Sequence, residues 1–462
     1  MSIAGGALLR ATRRSVVRPT DVTLTARAAF ALSALAFTFV TWYLYVEVFG
    51  TAGVFDYMGI RVLPVSASRM TFFMGIALLP VLWLPVHVRR PSDVIQLFLY
   101  YAVHVPTAVL MPLVSYSSPV RQVEFCVAIS LGLLALDLRY ALPDFKPPDI
   151  RVSTGTYWSA LCAFYLLAIT VFASSGYLSF SRIEFFQVYD QREELSSRAA
   201  TLGPLFFYIA NWTGAAFAPF LVVAGLHLRR WLVVLLAIAL ATASFVVSSN
   251  KANYIAVPAV IGGYYALHAM RGRWIAVLMA LAFVTLAGAA RLVDEQLGSA
   301  LGGLNAPVVT YQVFHRIFTN NGFLSAIYLD LFARADYAYY ADSFLRWVPG
   351  PRLAAPVPAL AGASFTDVPG VWANANLWAD GYANLGWLGI AFMSLLTGFL
   401  LWIYDGIARS KDFIVTTAAL IVPASVLANT ATHVALISNG MFLVFLLVYA
   451  WPDAPRATPA KP

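Results

Sequence analysis

Asn376, Asp380 and Asn384 recur at i, i+4 and i+8 in VWANANLWADGYANLGWLGI, with Asn374 just ahead of them. That spacing puts the three on one face of a helix. An amide–carboxylate–amide stripe beside a strongly apolar run is costly unless something polar meets it. Helix capping accounts for one of the three, not for all. A second group of candidates is cationic. Arg182, Arg192, Arg198, Arg291, Arg316, Arg334, Arg346 and Arg352 lie in or at the edges of two segments, 176–203 and 292–384. Guanidinium forks bind oxyanions bidentately, so an anionic ligand is the reading for the set. Salt bridges to Asp190, Glu193, Glu194, Asp330, Asp336 or Asp342 explain any single arginine equally well.

Two further stretches could carry chemistry. FVVSSNKANYIAV sets two hydroxyls, an amide and the ammonium of Lys251 on one short turn between very apolar runs. It fits both an anion-binding turn and a plain membrane-surface anchor. In FHRIFTNNGFLSAIYLDLFARADYAYYADS, His315 and Arg316 open the stretch, Asp330 follows, and Tyr337, Tyr339 and Tyr340 precede Asp342. Aromatic rings beside carboxylates and amides suit a sugar, although for the tyrosines alone an interfacial aromatic belt is the simpler reading.

The elements that must position these residues follow from composition. Of 462 residues, 60% are hydrophobic and 11% charged, against about 25% charged in soluble domains, so the chain is an all-α polytopic membrane protein. Cys126 and Cys162 lie inside apolar runs, which excludes a disulfide framework and a cysteine-rich metal site. The net charge of +8 reports topology rather than nucleic-acid binding. Spans of about 20 apolar residues are expected at 28–49, 68–88, 93–114, 121–140, 155–175, 204–226, 231–249, 252–270, 274–291, 385–404, 413–432 and 434–451. The first is long enough to span rather than to be a cleaved signal. This divides the chain into a tail at 1–27, five spans within 28–175, an interfacial segment at 176–203, spans six to nine within 204–291, a long outer loop at 292–384, three spans within 385–451, and a tail at 452–462.

Orientation follows from basic residues. Of the 30, the two tails and the inner loops take 18, including Arg89, Arg90, Arg139, Arg229, Arg230, Arg271 and Arg273. Short outer loops hold Arg61, Arg69, Arg121 and Lys251 alone, so both termini are expected in the cytoplasm. Glu47, Glu124 and Asp137 lie near span ends, where snorkelling suffices, and His104 reads as an interhelical hydrogen-bonder. No ladder of buried acids and no paired broken spans occur, which counts against an ion-coupled transporter.

In order along the chain come VYDQREELSS, whose Arg192 to Gly203 interval has ten residues between arginine and glycine, then SNK between two spans. HRIF…YLDLFA follows in the long loop, and W-A-D-G-Y-A-N-L-G-W-L-G-I opens a late span. Together, over roughly residues 180–405, these resemble the Wzy-type O-antigen and exopolysaccharide polymerases, the oligosaccharide repeat-unit polymerases. The resemblance implies a fold like that of the lipid-linked-sugar glycosyltransferases (GT-C-like). It also implies joining of oligosaccharides carried on undecaprenyl diphosphate at the periplasmic face of the bacterial inner membrane, with a flippase and a chain-length regulator as partners. A departing polyprenyl diphosphate needs charge stabilisation. The outer loops hold no D-x-D, so no metal or other cofactor is expected, and Arg192, Arg198, Lys251 and Arg316 become the diphosphate ligands. The acceptor hydroxyl needs a positioned base, for which Asp380, Glu193 and His315 are the candidates. Asp380 is best placed for a sugar, while His315 stands too close to Arg316 to be readily protonated. Asn376, Asn384, Tyr189 and Asp330 are then the sugar contacts. An O-antigen ligase, a flippase of anionic glycolipids and a non-catalytic export scaffold are the competing readings.

Overall fold

The computed structural model describes residues 24–50, 55–150, 152–179, Gln191, Glu194, Leu195, Ser197, 199–300, 307–341, Ser343, 353–366, Val368 and 370–452. Every regular element among the described residues is a helix. Lipid leaves no water to satisfy exposed backbone groups, so apolar runs of this length must bond internally. Eight helices among the described residues are long and apolar enough to cross a membrane: Leu24–Phe49, Asp93–Val114, Pro119–Ala141, Thr154–Ser174, Thr201–His227, Trp231–Ser248, Ile275–Gly298 and Leu377–Ala408. The chain is an all-helical, multi-pass membrane protein. The other expected spans are helical too: Lys251–Met270 is one unbroken helix of 20 residues with Pro258 inside, and the rest are shorter or broken. Ala67–Leu82 is short, and 413–451 is cut into Phe413–Ala418, Ile421–Asn429, Thr432–Ile437 and Met441–Ala450. Several hydroxyls inside the spans bond back to their own helix, as Thr38 does to Ala34 O and Ser130 to Cys126 O, so these need no outside partner.

The bundle is organised around Asp93–Val114, which is almost wholly buried. Its partner is unexpected. The 292–384 segment reads as a loop outside the membrane, yet it contributes a helix, Tyr311–Thr319 continuing into Asn320–Phe332, packed into the bundle. Asn321 Nδ2 donates to Ala102 O at 3.0 Å, Thr107 Oγ1 to Ser325 Oγ at 3.2 Å, and Ser115 Oγ to Asp330 at 2.5 Å. The pairs advance together along both chains, so the two helices run in the same direction. Gly322 makes this approach possible, because a Cβ there would meet Pro106 C and O at 2.4 Å. Averaged polarity hides such a helix: its amides and hydroxyls lower the hydropathy, but Thr319, Asn321 and Ser325 find partners within the protein.

At the Asp93 end, Arg139 has a structural role beside the topological one expected of it. Its side chain is fully buried, with Nη2 donating to Asp93 Oδ1 at 2.6 Å and to Gln96 Oε1 at 2.9 Å. Asp405 Oδ2 and Asp137 Oδ1 lie 3.8 and 3.6 Å from it. Tyr140 OH also donates to Asp93 Oδ1 at 2.6 Å, and Ser92 Oγ to Asp405 Oδ2 at 2.7 Å. Three spans are therefore tied by one buried guanidinium. Removing one member of a buried ion pair costs about 3–5 kcal/mol, because the other charge is left uncompensated. Arg139→Ala is expected to lower the unfolding temperature of the purified protein accordingly. An unchanged temperature would show that this cluster does not hold the spans together.

Candidate active site

The polar stripe belongs to a helical hairpin. Helix Leu377–Ala408 is interrupted at Leu385 (φ −140°, ψ 18°) and Gly386 (φ 60°, ψ −139°). The chain there folds back on itself. Trp378 Nε1 donates to Ser394 Oγ at 2.9 Å across sixteen positions, and the Tyr382 and Trp387 rings stand 5.0 Å apart. Gly381 and Gly389 bring the two arms into backbone contact, since a Cβ on Gly389 would lie 1.8 Å from Gly381 O. At Gly386, φ is positive and a Cβ would meet Tyr337 Oη at 2.7 Å, so glycine is required on both counts. The glycines of ADGYANLGWLGI thus build the turn that presents the stripe.

Each stripe residue has a different task. Asn376 is the N-cap: its Oδ1 accepts from Trp378 N at 3.1 Å and Ala379 N at 3.2 Å. Its Nδ2 donates to Ser325 Oγ at 2.8 Å, which pins the hairpin to the buried 320–332 helix. Asn384 Oδ1 accepts from Tyr340 N at 2.7 Å, and two backbone bonds, Ala338 N to Ala383 O at 2.9 Å and Tyr339 N to Asn384 O at 3.1 Å, dock the 338–340 loop beside it. Asp380 is left over. It is half-buried, and its carboxylate accepts one long hydrogen bond, from Asn384 Nδ2 to Oδ2 at 3.3 Å. No cation pairs with it among the described residues. Burial, followed by the nearby Asp380 carboxylate, raises the phenols of Tyr328 and Tyr340 above the usual range and keeps them protonated. Tyr328 donates to Ala373 O at 2.8 Å. The Tyr340 hydroxyl is buried with no hydrogen-bond partner among the described residues, and its ring meets His433 edge-on at 5.5 Å. A carboxylate with spare lone pairs can accept a proton from a hydroxyl, and the Tyr340 O–H, which has no described partner, can donate to one.

No family model, curated protein or solved structure matches this chain. The site therefore rests on its own geometry.

The other expected site residues are distributed as follows. Arg192, Glu193, Arg198 and Tyr189 lie outside the described residues, as do Arg346 and Arg352. Their neighbour Gln191 accepts through Oε1 from Ser249 Oγ at 2.9 Å, which joins that segment to the Lys251 turn. Ser249 takes a left-handed conformation (φ 52°), Asn250 caps the next helix through Ala252 N, and Lys251 is its first residue. His315 is buried, stacked on Tyr311 at 4.7 Å and bonded through Nδ1 to Thr319 Oγ1 at 2.8 Å. Burial, with the Arg316 charge adjacent, pushes its pKa down to about 3, so it is neutral and a weak base. Arg316 is half-buried on the same helix. No described bond joins His315, Lys251 or Asp330 to Asp380. Asp330 braces the Ser115–Ser117 turn. Sequence reasoning missed Asn321 and Ser325, which hold Asn376. Their i, i+4 spacing within TNNGFLSAIY was a legible sign of a polar helix face.

Proposed function

We propose that this protein is a membrane glycosyltransferase that polymerises oligosaccharide units carried on undecaprenyl diphosphate at the periplasmic face of a bacterial inner membrane, for O-antigen or exopolysaccharide synthesis. In this reading the chain crosses twelve times in a GT-C-like arrangement with both termini cytoplasmic, as the bias of basic residues suggests. Asp380 takes the proton of the acceptor sugar hydroxyl, whose oxygen forms the new glycosidic bond as the bond from sugar to diphosphate breaks. Lys251 and Arg316, with Arg192 and Arg198, take the negative charge that develops on the departing diphosphate. The observation that carries the reading is Asp380 itself, a half-buried carboxylate with no cation among the described residues, held on a glycine-built hairpin by Asn384.

The test is deletion of the gene and sizing of the surface polysaccharide on a gel. A polymerase defect leaves core capped by a single repeat unit. Bare core with lipid-linked polymer behind it would assign a ligase instead, and normal long chains would sink the proposal.

A further inference from the structure

A cleft of about 340 Å³ opens at the Ser115 end of the bundle, lined by Arg61, Tyr116, Ile327, Asp330, Leu331 and Arg334 among others. One wall is a braced turn. Asp330 Oδ1 accepts from Ser115 Oγ at 2.5 Å, Ser117 N at 2.9 Å and Ser117 Oγ at 2.7 Å, while Oδ2 accepts only from Tyr116 N at 2.8 Å. Gln122 Nε2 donates to Ser115 O and Ser117 O at 2.9 and 3.0 Å, and Arg69 Nη2 holds Gln122 Oε1 at 2.8 Å. The turn thereby presents the Tyr116 ring, with the Arg61 guanidinium 4.2 Å above it.

Two features mark this cleft as a ligand site rather than an incidental gap. Arg61 bonds only through Nε, to Val114 O at 3.4 Å, and Arg334 makes no side-chain hydrogen bond; neither has a carboxylate partner among the described residues. Two guanidiniums that could each pair bidentately therefore face one cavity unpaired. The single acid in the wall keeps an open lone pair on Oδ2, which can accept from a hydroxyl. Ile327 and Leu331 supply an apolar floor. The volume lies at the low end of small-ligand pockets, about 300–1,000 Å³.

We propose that this cleft binds an acidic saccharide, with its carboxylate or phosphate substituent between Arg61 and Arg334 and a sugar hydroxyl on Asp330 Oδ2. The site is separate from Asp380, and its occupancy does not depend on the transfer reaction.

Full-length protein in neutral detergent micelles would be titrated with trigalacturonate, glucose 6-phosphate and neutral maltotriose by calorimetry. At least one acidic probe is expected to bind, with maltotriose about tenfold or more weaker, the loss that follows from removing a charge-assisted hydrogen bond. Arg334→Glu is expected to weaken the acidic probe at least as much and Arg334→Lys less, both at an unchanged unfolding temperature, because Arg334 makes no described side-chain bond. Absence of binding by both acidic probes, equal affinity for maltotriose, or undiminished binding by Arg334→Glu would overturn the proposal. Repeating the titration in nanodiscs separates the sugar from a lipid headgroup. Equal affinity in phosphatidylcholine and phosphatidylglycerol discs supports the saccharide. Displacement in phosphatidylglycerol discs assigns the cleft to lipid and overturns it.

Discussion

Asp380→Asn is expected to abolish chain extension, leaving surface glycan of single repeat units when the variant is the only copy in the cell. A positioned general base contributes about 10²–10⁴-fold to rate, and asparagine keeps the shape while giving up the proton-accepting oxygen. Asn384 would still hold its neighbours, since its bonds to Tyr340 N and to Asp380 O involve backbone atoms. The variant should therefore accumulate to wild-type level in the membrane, which immunoblotting of membrane fractions checks. Full-length polysaccharide from Asp380→Asn would remove Asp380 from the chemistry and leave the stripe a structural feature.

Gly389→Ala should act in the opposite manner, through folding. Alanine normally favours a helix over glycine by about 1 kcal/mol. Here the added methyl would lie 1.8 Å from Gly381 O, and the obstruction is backbone, which cannot swing aside as a side chain can. Overpacking of this kind costs about 1–3 kcal/mol and sometimes more, and opening the hairpin would also carry Asp380 away from the 338–340 loop. Gly386→Ala adds strain at φ 60°, worth about 1–3 kcal/mol for a residue other than glycine. Both variants are expected to melt well below wild type in detergent and to yield little monodisperse protein on size exclusion. Gly288→Ala is the control, because a Cβ there meets nothing within 4 Å. If Gly389→Ala melts as Gly288→Ala does, the two arms are not in the contact described.

Some of this was legible in the chain as written. The 60% hydrophobic content and the apolar runs dictate a multi-pass helical protein, because in lipid a backbone of that length has no other way to satisfy its N–H and C=O groups. The i, i+4 spacing put Asp380 and Asn384 on one helical face, where Asn384 Nδ2 donates to Asp380 Oδ2, while Asn376, placed on that face by the same spacing, stands in extended conformation as the cap ahead of it. What spacing could not show was which of the three is free. Asn376 is consumed by the cap and by Ser325, and Asn384 by the loop at Tyr340. Those partners lie 51 and 44 positions away, a distance in sequence over which no periodicity carries information. The 320–332 helix was hidden for a related reason. A window of hydropathy counts Asn321 and Ser325 as polar whether they face water or Ala102 and Thr107, and only the packed bundle decides between the two. Arg139 followed the same logic in reverse. As a charge near a span end it read as topology, and the carboxylates of Asp93 and Asp405 from two other spans, with Asp137 beside it in the chain, make it the buried centre of an ion cluster. Local geometry thus determined the elements and one shared face. Tertiary contact decided which polar groups are spent on holding the fold, and left Asp380 as the member of the stripe with the fewest partners.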